Sequence, residues 1–231
     1  MNILKKKVNI ALPLKRRAFT LAEVLITLVI IGVIAAATIP TLINNTKKQE
    51  YVAGLKKANS VLSQAVYKIG QNKGYPVGDY SFFEDVDFVD ELAKVTNVVK
   101  KCNSNSCFPD YSSYKRLGGD SFDNMGQDKS AILADGQILG YLFVNGVWSV
   151  DKLSPLFGLT EDDTRNAIGR VIIDVNGNKP PNVMGRDVFF FVLVNGKGII
   201  PAGADNSANC NKNNYGYTCT AKVLRENAMN Y

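Results

Sequence analysis

Residues 15–44 read KRRAFTLAEVLITLVIIGVIAAATIPTLIN, and this stretch decides the fold of the 231-residue chain. The sixteen residues from Val24 to Ile39 carry no charge, and all of them except two threonines are apolar or small. With its flanks the apolar segment covers 25 residues, from Phe19 to Ile43, and Glu23 is its one charged residue. Because roughly 20 helical residues cross a bilayer core of about 30 Å, the segment predicts one membrane-spanning helix.

Three other interpretations of this segment compete with a specialised membrane helix. A buried core helix is disfavoured because the segment leaves no polar face. A secretory signal peptide has a shorter apolar region followed by a small-residue cleavage site. A plain signal anchor is the strongest of the three, and it shares the predicted orientation, with the N-terminus in the cytoplasm, because six basic residues precede the span.

The overall charge of +6 comes entirely from the first 18 residues. They hold Lys5, Lys6, Lys7, Lys15, Arg16 and Arg17 and no acid, so residues 19–231 balance at 21 basic and 21 acidic side chains. The chain has no histidine, which excludes Ser-His-Asp and Cys-His nucleophiles and the commonest general base. Together with the lack of GxSxG and P-loop patterns, this predicts that the protein is not an enzyme.

The junction Arg16-Arg17-Ala18 followed by Phe19-Thr20-Leu21-Ala22-Glu23 resembles the processing site of type IV pilins and type II secretion pseudopilins. In that family a basic leader is cut before Phe or Met, the new N-terminus is methylated, and the fifth mature residue is Glu. Counted from Phe19, Glu23 is the fifth residue. The family usually has Gly before the cut, and this chain has Ala18.

The resemblance implies a structural subunit of a type IV pilus or of a type II secretion pseudopilus. Prepilin peptidase would cleave between Ala18 and Phe19, and Phe19 would be N-methylated. Glu23 would pair with the terminal amine of a neighbouring subunit during assembly. The implied partners are the peptidase, other pilin or pseudopilin subunits, an inner-membrane assembly platform and the lipid bilayer. The implied location is the bacterial cytoplasmic membrane, with a single span and the C-terminal domain outside, and then the filament.

Beyond Pro40 the sequence becomes amphipathic, and its apolar residues recur at helical steps: Tyr51, Leu55, Ala58, Leu62, Ala65, Val66 and Ile69. Gly70 and Gly74 mark the predicted end. We therefore expect a leader at 1–18, a transmembrane and assembly helix at 19–43, its amphipathic continuation at 44–70 and a globular domain outside the cytoplasm at 71–231. Pro40 should bend or loosen the helix nearby.

The remaining sequence predicts an α+β domain with a pilin-like fold, in which a long N-terminal helix packs on a small antiparallel β-sheet of four to six strands. Phe82–Val99 has helical spacing and predicts a second helix or a helix-rich loop, and residues 100–128 look like a loop. The turns Asp135-Gly136, Asn145-Gly146 and Asn195-Gly196 are strong hairpin signals. They lie after the first, second and fifth of the predicted strands, which are Ala131–Ala134, Gln137–Val144, Val147–Val150, Val171–Val175, Asp187–Val194 and Ile199-Ile200.

The four cysteines form two close pairs, Cys102 with Cys107 and Cys210 with Cys219. The predicted topology places them outside the cytoplasm, where disulfides persist. We expect local pairing, although three connectivities are open to four cysteines. Zinc is disfavoured because neither spacing is CxxC and no histidine is present.

Residues 174–187 read DVNGNKPPNVMGRD and include a possible start of a calcium loop. Asp174, Asn176 and Asn178 place side-chain oxygens at alternate positions, as at the start of an EF-type loop. The bidentate glutamate of such a loop is missing, so a β-turn is the favoured interpretation. Major pseudopilins carry calcium near their C-terminal sheet, so the resemblance keeps calcium open as the one cofactor.

A binding module is the alternative function: a minor pilin acting in adhesion, DNA uptake or the capture of secretion cargo. A basic surface with interleaved aromatic residues would support nucleic-acid binding, and the C-terminal region offers Lys212, Tyr215, Tyr217, Lys222 and Arg225. Because residues 19–231 are charge-balanced, nucleic acid is not the favoured partner.

Overall fold

The computed structural model describes residues 19–122, 126–144, 156–205 and 210–231. The chain divides after Asn45 into two compact units. The first contains the beginning of helix α1, whose bounds are Leu21–Lys73. The second, Thr46–Tyr231, contains the rest of α1 and every other element. The predicted leader at 1–18, the turn Asn145-Gly146 and the strand Val147–Val150 lie outside the described residues.

Helix α1 runs through Pro40 and buries the predicted apolar stripe in the second unit. The buried residues of this stripe are Tyr51, Leu55, Ala58, Leu62, Ala65, Val66 and Ile69. The helix ends because Gly74 adopts a φ of 78°, which a glycine reaches without steric cost. The Tyr75 N–H then donates to the Gly70 carbonyl, and the Gly74 N–H to the Gln71 carbonyl, which is a Schellman ending.

A second helix or a helix-rich loop was expected over Phe82–Val99, and the structure has three elements there, the last of which is a strand that was not predicted. A 3₁₀ turn covers Ser81–Glu84, helix α2 covers Phe88–Val95, and strand β1 covers Val98–Asn103. Thr96 stops α2, since its hydroxyl and its N–H both donate to the Leu92 carbonyl. The sequence analysis missed β1 because the strand lies at the sheet edge, with Val99 71% exposed, and lacks a clear apolar alternation.

Six strands form one antiparallel sheet in chain order, which confirms the predicted fold class. After β1 come β2 (Lys129–Leu133), β3 (Ile138–Phe143), β4 (Ala167–Asp174), β5 (Val188–Val194) and β6 (Gly198–Pro201). The other described elements are two short helices, α3 (Glu161–Arg165) and α4 (Cys219–Glu226), and a second 3₁₀ turn at Tyr111–Ser113. The Asp-Gly turn joins β2 to β3, and the Asn195-Gly196 turn joins β5 to β6, as predicted.

Strand β5, with the sequence VFFFVLV, is buried along its whole length because both faces of the sheet are covered. Phe189 and Phe191 pack in the cluster that contains the α1 stripe. Phe190 and Val192 pack on the opposite face, in a second cluster with Phe157, Tyr217 and other aromatic residues from the loops. The cluster that contains the α1 stripe was predicted from the sequence. The second cluster was not predicted, because its residues are scattered over the chain.

Gly169 on β4 makes room for the Tyr141 side chain, so this position generates the first prediction. A Cβ atom at Gly169 would come within 2.4 Å of the Tyr141 ring carbons, and neighbouring buried groups leave the ring little freedom to move. We expect Gly169→Ala to destabilise the folded domain by about 1–3 kcal/mol. Urea unfolding of the full chain in detergent micelles, followed by near-UV circular dichroism, measures this change.

Gly126→Ala is the matched control, because a Cβ atom at Gly126 meets nothing within 4 Å. Its free energy of unfolding should stay within about 0.5 kcal/mol of the parent chain. Equal stability of the two variants would mean that the Tyr141 ring does not constrain this position.

Candidate functional site

The first turn of α1 is closed by a reciprocal pair of side chains, Thr20 and Glu23. The Thr20 N–H and hydroxyl both donate to Oε2 of Glu23, at 2.8 Å each. In return, the Glu23 N–H donates to the Thr20 hydroxyl at 3.2 Å. This is a capping box, which satisfies backbone donors that the first turn leaves without partners. The Thr-x-x-Glu spacing was visible in the sequence, and the sequence analysis missed the role of Thr20.

Oε1 of Glu23 makes no hydrogen bond to any residue that the structure describes. The carboxylate therefore uses one oxygen for its own helix and keeps the other available. Its position in the first turn also places a negative charge where the helix dipole favours one.

The surface of α1 that follows this turn is apolar and exposed within the chain. Large side chains from Leu21 to Ile43 are 44–81% exposed, and Phe19 is 85% exposed. The two threonines of the apolar core segment bond to their own helix: the Thr27 hydroxyl donates to the Val24 carbonyl and the Thr38 hydroxyl to the Ile34 carbonyl. Such internal satisfaction is what a hydrocarbon environment requires of a hydroxyl.

Helix α1 is the one described helix that is long and apolar enough to cross a membrane, judged by length and composition, and none of its apolar window is buried in the chain. Residues 13–39 match the family model described as the prokaryotic N-terminal methylation motif. The chain therefore carries the prepilin-type cleavage and methylation segment of type IV pilins and pseudopilins, joined to a pilin-like α+β domain.

This confirms the resemblance drawn from the junction residues. The motif implies processing by prepilin peptidase and assembly with other pilin subunits, and the single apolar helix fits membrane anchoring. No curated protein and no solved structure matches the chain. Of the two predicted processing residues, Phe19 lies at the exposed start of the described chain, and Ala18 lies outside the described residues.

The predicted calcium residues lie at the end of β4 and in the turn that follows it. Asp174 is fully buried, and its two oxygens accept hydrogen bonds from the Tyr114 hydroxyl and the Asn176 N–H. The Asn176 side-chain amide donates to the Pro180 carbonyl, and Asn178 is exposed. Because the chain's own donors occupy both oxygens of Asp174, the arrangement fits a turn better than an ion site.

No three His, Cys, Asp or Glu side chains are grouped for metal binding among the residues that the structure describes. Calcium binding at these residues stays a prediction.

A second buried carboxylate, Asp187, lies at the other end of the segment that connects β4 to β5. Its role was not predicted from the sequence. Its oxygens accept from the N–H groups of Asn182 and Val183, at 2.8 and 2.7 Å. Burial raises the pKa of Asp187, and the hydrogen bonds from these two N–H groups oppose that rise. Burial also raises the pKa of Asp174, to about 8, and the neighbouring charge of Asp187 adds to the rise.

The four cysteines form the two local disulfides, Cys102–Cys107 and Cys210–Cys219, with Cα–Cα distances of 5.6 and 4.8 Å. The first ties the end of β1 to the loop that follows it. The second ties a surface segment to the first residue of α4.

The aromatic and basic residues considered for nucleic-acid binding do not form one exposed surface. Tyr217 is buried between Phe157 and Phe190. Tyr215 is half exposed and lies under the Arg116 guanidinium, whose carbon is 4.5 Å from the ring centre. Lys222 lies over the Tyr231 ring. Tyr217 is therefore a core residue and cannot stack on a base.

The raised pKa of Asp174 predicts that the domain loses stability as pH rises. An unfolded aspartate has a pKa of about 3.9, so between about pH 4 and pH 8 the folded state retains a proton that the unfolded state releases. Stability then falls with pH over this range and levels off above it. We expect the unfolding free energy to drop by about 1–3 kcal/mol between pH 5 and pH 7.

Asp174→Asn should flatten this pH dependence, because its neutral side chain resembles the protonated acid. Asp187→Asn should destabilise the domain by about 1–3 kcal/mol at both pH values, because the amide NH2 that replaces one carboxylate oxygen would face an N–H group and could not accept from it. Urea unfolding of both full-length variants at pH 5 and pH 8 separates the two effects. A pH profile of Asp174→Asn as steep as that of the parent chain would contradict this assignment.

Proposed function

We propose that this protein is a structural subunit of a type IV pilus or type II secretion pseudopilus. In this proposal the chain sits in the cytoplasmic membrane with its N-terminus in the cytoplasm and its C-terminal domain outside. Prepilin peptidase cuts it between Ala18 and Phe19, Phe19 is methylated, and an inner-membrane assembly platform feeds the subunit into a filament. The observation that carries the proposal is the methylation motif, which is continuous with an apolar helix.

The exposed apolar surface of α1 supports assembly as the role of this helix. Apolar surface left in water costs roughly 25 cal/mol per Å², so a surface of this length needs a cover. Lipid supplies the cover before assembly. In a filament, the helices of other subunits replace the lipid, so the same surface serves both states.

Pairing at Glu23 sets the axial position of each subunit relative to the next one during assembly. Cleavage before Phe19 creates a positively charged amine four residues from Glu23, at the same end of the helix. An unpaired carboxylate in an apolar surrounding is costly, and an amine from the next subunit offsets part of that cost. Oε2 is already engaged by Thr20, so Oε1 is the oxygen that meets the incoming amine. A subunit at the wrong height would leave a charge without its partner.

The mature N-terminal peptide tests processing directly. Mass spectrometry of protein isolated from its native cells should find a peptide that begins at Phe19 and is heavier by one methyl group. An intact N-terminus at Met1 in assembled or membrane-bound protein would leave only a plain membrane anchor.

Glu23→Gln tests the charge separately from the helix cap. Glutamine keeps an oxygen that accepts from Thr20, but it removes the charge that pairs with the amine. We expect filament yield, measured by electron microscopy of sheared fractions, to fall at least about tenfold, as the loss of a buried ion pair would give.

Thr27→Val is the control for Glu23→Gln, because it removes a hydroxyl that bonds only to its own helix and keeps the apolar surface. Its filaments should form at normal yield. Normal filaments from Glu23→Gln would overturn the proposed pairing and leave membrane anchoring intact.

A further inference from the structure

A surface pocket of about 360 Å³ lies between helix α1 and the β2–β3 turn. The lining residues that matter for its chemistry are Lys57, Val61, Lys68, Val95, Ala134 and Asp135. Val61 and Val95 are half-buried and Ala134 is exposed, so an incoming group can reach these apolar side chains. This α1–β2 pocket therefore offers an accessible apolar floor.

Two lysines of the α1–β2 pocket differ in their partners. Lys57 pairs with Asp135, with 2.9 Å between Nζ and Oδ2. Lys68 is exposed and makes no ion pair with any residue that the structure describes. Among the described lining residues Asp135 is the one acid, so the pocket has one net positive charge. It suits an apolar group that is followed closely by a negative one.

The tight turn at residues 76–79, just after α1, presents such a pair of groups. Val77 is 73% exposed, and Asp79 follows it by two residues. The N–H of the last turn residue donates to the carbonyl of the first at 3.1 Å, and Gly78 has a φ of 98°, as in a type II turn. The Ser81 hydroxyl and N–H donate to Asp79 and lower its pKa, so Asp79 is charged at neutral pH.

This turn is fixed to the β5–β6 hairpin. The Gly196 N–H donates to the Gly78 carbonyl at 2.8 Å, and the Tyr80 N–H donates to Oδ1 of Asn195 at 2.9 Å. Single exposed apolar side chains are normal on protein surfaces, but Val77 projects from an anchored turn. A group that is already ordered loses little conformational entropy when it binds.

The pocket and the turn lie at diagonally opposite corners of the sheet. The pocket is at the edge formed by β1 and β2, whereas the turn is bonded to the hairpin of β5 and β6 at the other edge. Because the strands alternate in direction, the β2–β3 and β5–β6 turns also lie at opposite ends of the strands. A chain therefore cannot place its own turn in its own pocket, but two copies can meet in this way.

We propose that the turn at residues 76–79 of one copy docks in the α1–β2 pocket of a second copy of this chain. Val77 packs against Val61 and Val95, and the Asp79 carboxylate pairs with Lys68. Since the two surfaces differ, each contact leaves one pocket and one turn free, and the arrangement continues from copy to copy.

This inference deepens the proposed function and rests on it in one respect. A contact of one turn in one pocket is small and weak by itself. Anchoring and assembly through α1 hold copies close together, which raises their effective concentration. The docked turn then fixes how neighbouring domains are arranged.

Cysteine cross-linking in bacterial membranes tests the contact without requiring a filament. Two full-length copies with different affinity tags are expressed together, one with Val61→Cys and the other with Val77→Cys. The four native cysteines are held in two disulfides, so the new thiols react on brief oxidation with copper phenanthroline. We expect at least about fivefold more cross-linked pairs than two Val77→Cys copies give, because docking raises the effective concentration of the two thiols.

Val99→Cys is the matched control for Val77→Cys. Val99 is also a valine, it is 71% exposed, and it belongs neither to the pocket lining nor to the turn. Paired with Val61→Cys, it should give only the background yield. Equal yields from Val99→Cys and Val77→Cys would overturn the proposed docking.

A charge exchange tests the pairing of Asp79 with Lys68. Lys68→Glu, added to the Val61→Cys copy, should lower the cross-linking yield about two- to fivefold, as the loss of an exposed ion pair does. Adding Asp79→Lys to the Val77→Cys copy should restore the yield, and restoration also shows that both variants fold. Lys56→Glu is the control, because Lys56 is exposed on α1 outside the pocket lining, and it should leave the yield unchanged.

The remaining outcomes separate this inference from the proposed function. An exchange of charges that fails to restore the yield would overturn the pairing. Filaments that form while Val61→Cys and Val77→Cys give only background cross-linking would overturn the docking and leave the proposed function standing. Specific cross-linking of a chain that forms no filaments in its native cells would support the docking and contradict the proposed function.

Discussion

The constraint on which the molecule depends is an apolar helical surface that the described residues of the chain do not cover. From Leu21 to Ile43 the large side chains of α1 are exposed in the described structure. Hydrophobic burial is the largest favourable term in folding and association, so a cover such as lipid or other helices would stabilise this surface. Both covers need the first turn to have no unsatisfied backbone donors, and the Thr20–Glu23 pair meets that requirement without an outside partner.

In the second part of α1 the apolar residues are buried by the domain, whereas in the first part they are exposed. The change is encoded in the spacing of polar residues: continuous apolar sequence gives way to a stripe at three- and four-residue steps. Tyr51 and Leu55 therefore pack in the core that contains Phe189 and Phe191. Covering the other face of the sheet with aromatic residues lets β5 be apolar throughout, as strands buried on both faces are.

The elements that could be predicted from sequence are those with local, periodic signals. The α1 stripe, the Asp135-Gly136 and Asn195-Gly196 turns and the central strands each follow from residues that are neighbours in the chain. Strand β1 could not be predicted, since an edge strand needs only one pairing partner and its exposed lysines resemble a loop. The second aromatic layer depends on long-range packing, in which Tyr217 meets Phe157 and Phe190.

The residues of the candidate site also differ in whether the sequence alone predicts their roles. Glu23 was predictable because its distance from the cleavage junction is fixed by sequence. The role of Asp187 was not predictable, because it follows from burial. An aspartate in a loop is ordinarily solvated, and only the folded chain shows that Asp187 accepts from two N–H groups inside the protein.

The connection between β4 and β5 shows why the fold accepts buried acids. The chain must cross from one central strand to the next through 13 residues, several of them buried, such as Asn182 and Met184. Their backbone N–H groups cannot reach water, and leaving them unpaired would cost more than burying a hydrogen-bonded carboxylate.

The two buried acids, Asp174 and Asp187, differ in their hydrogen-bond donors. Asp187 accepts from the N–H groups of Asn182 and Val183, whereas Asp174 accepts from the Tyr114 hydroxyl and the Asn176 N–H. Burial raises the pKa of both acids, and it raises that of Asp174 to about 8. The Tyr51 hydroxyl contacts the Asn176 side chain, and Gly54 lies close to Val175. The end of β4 therefore also supports the second part of α1.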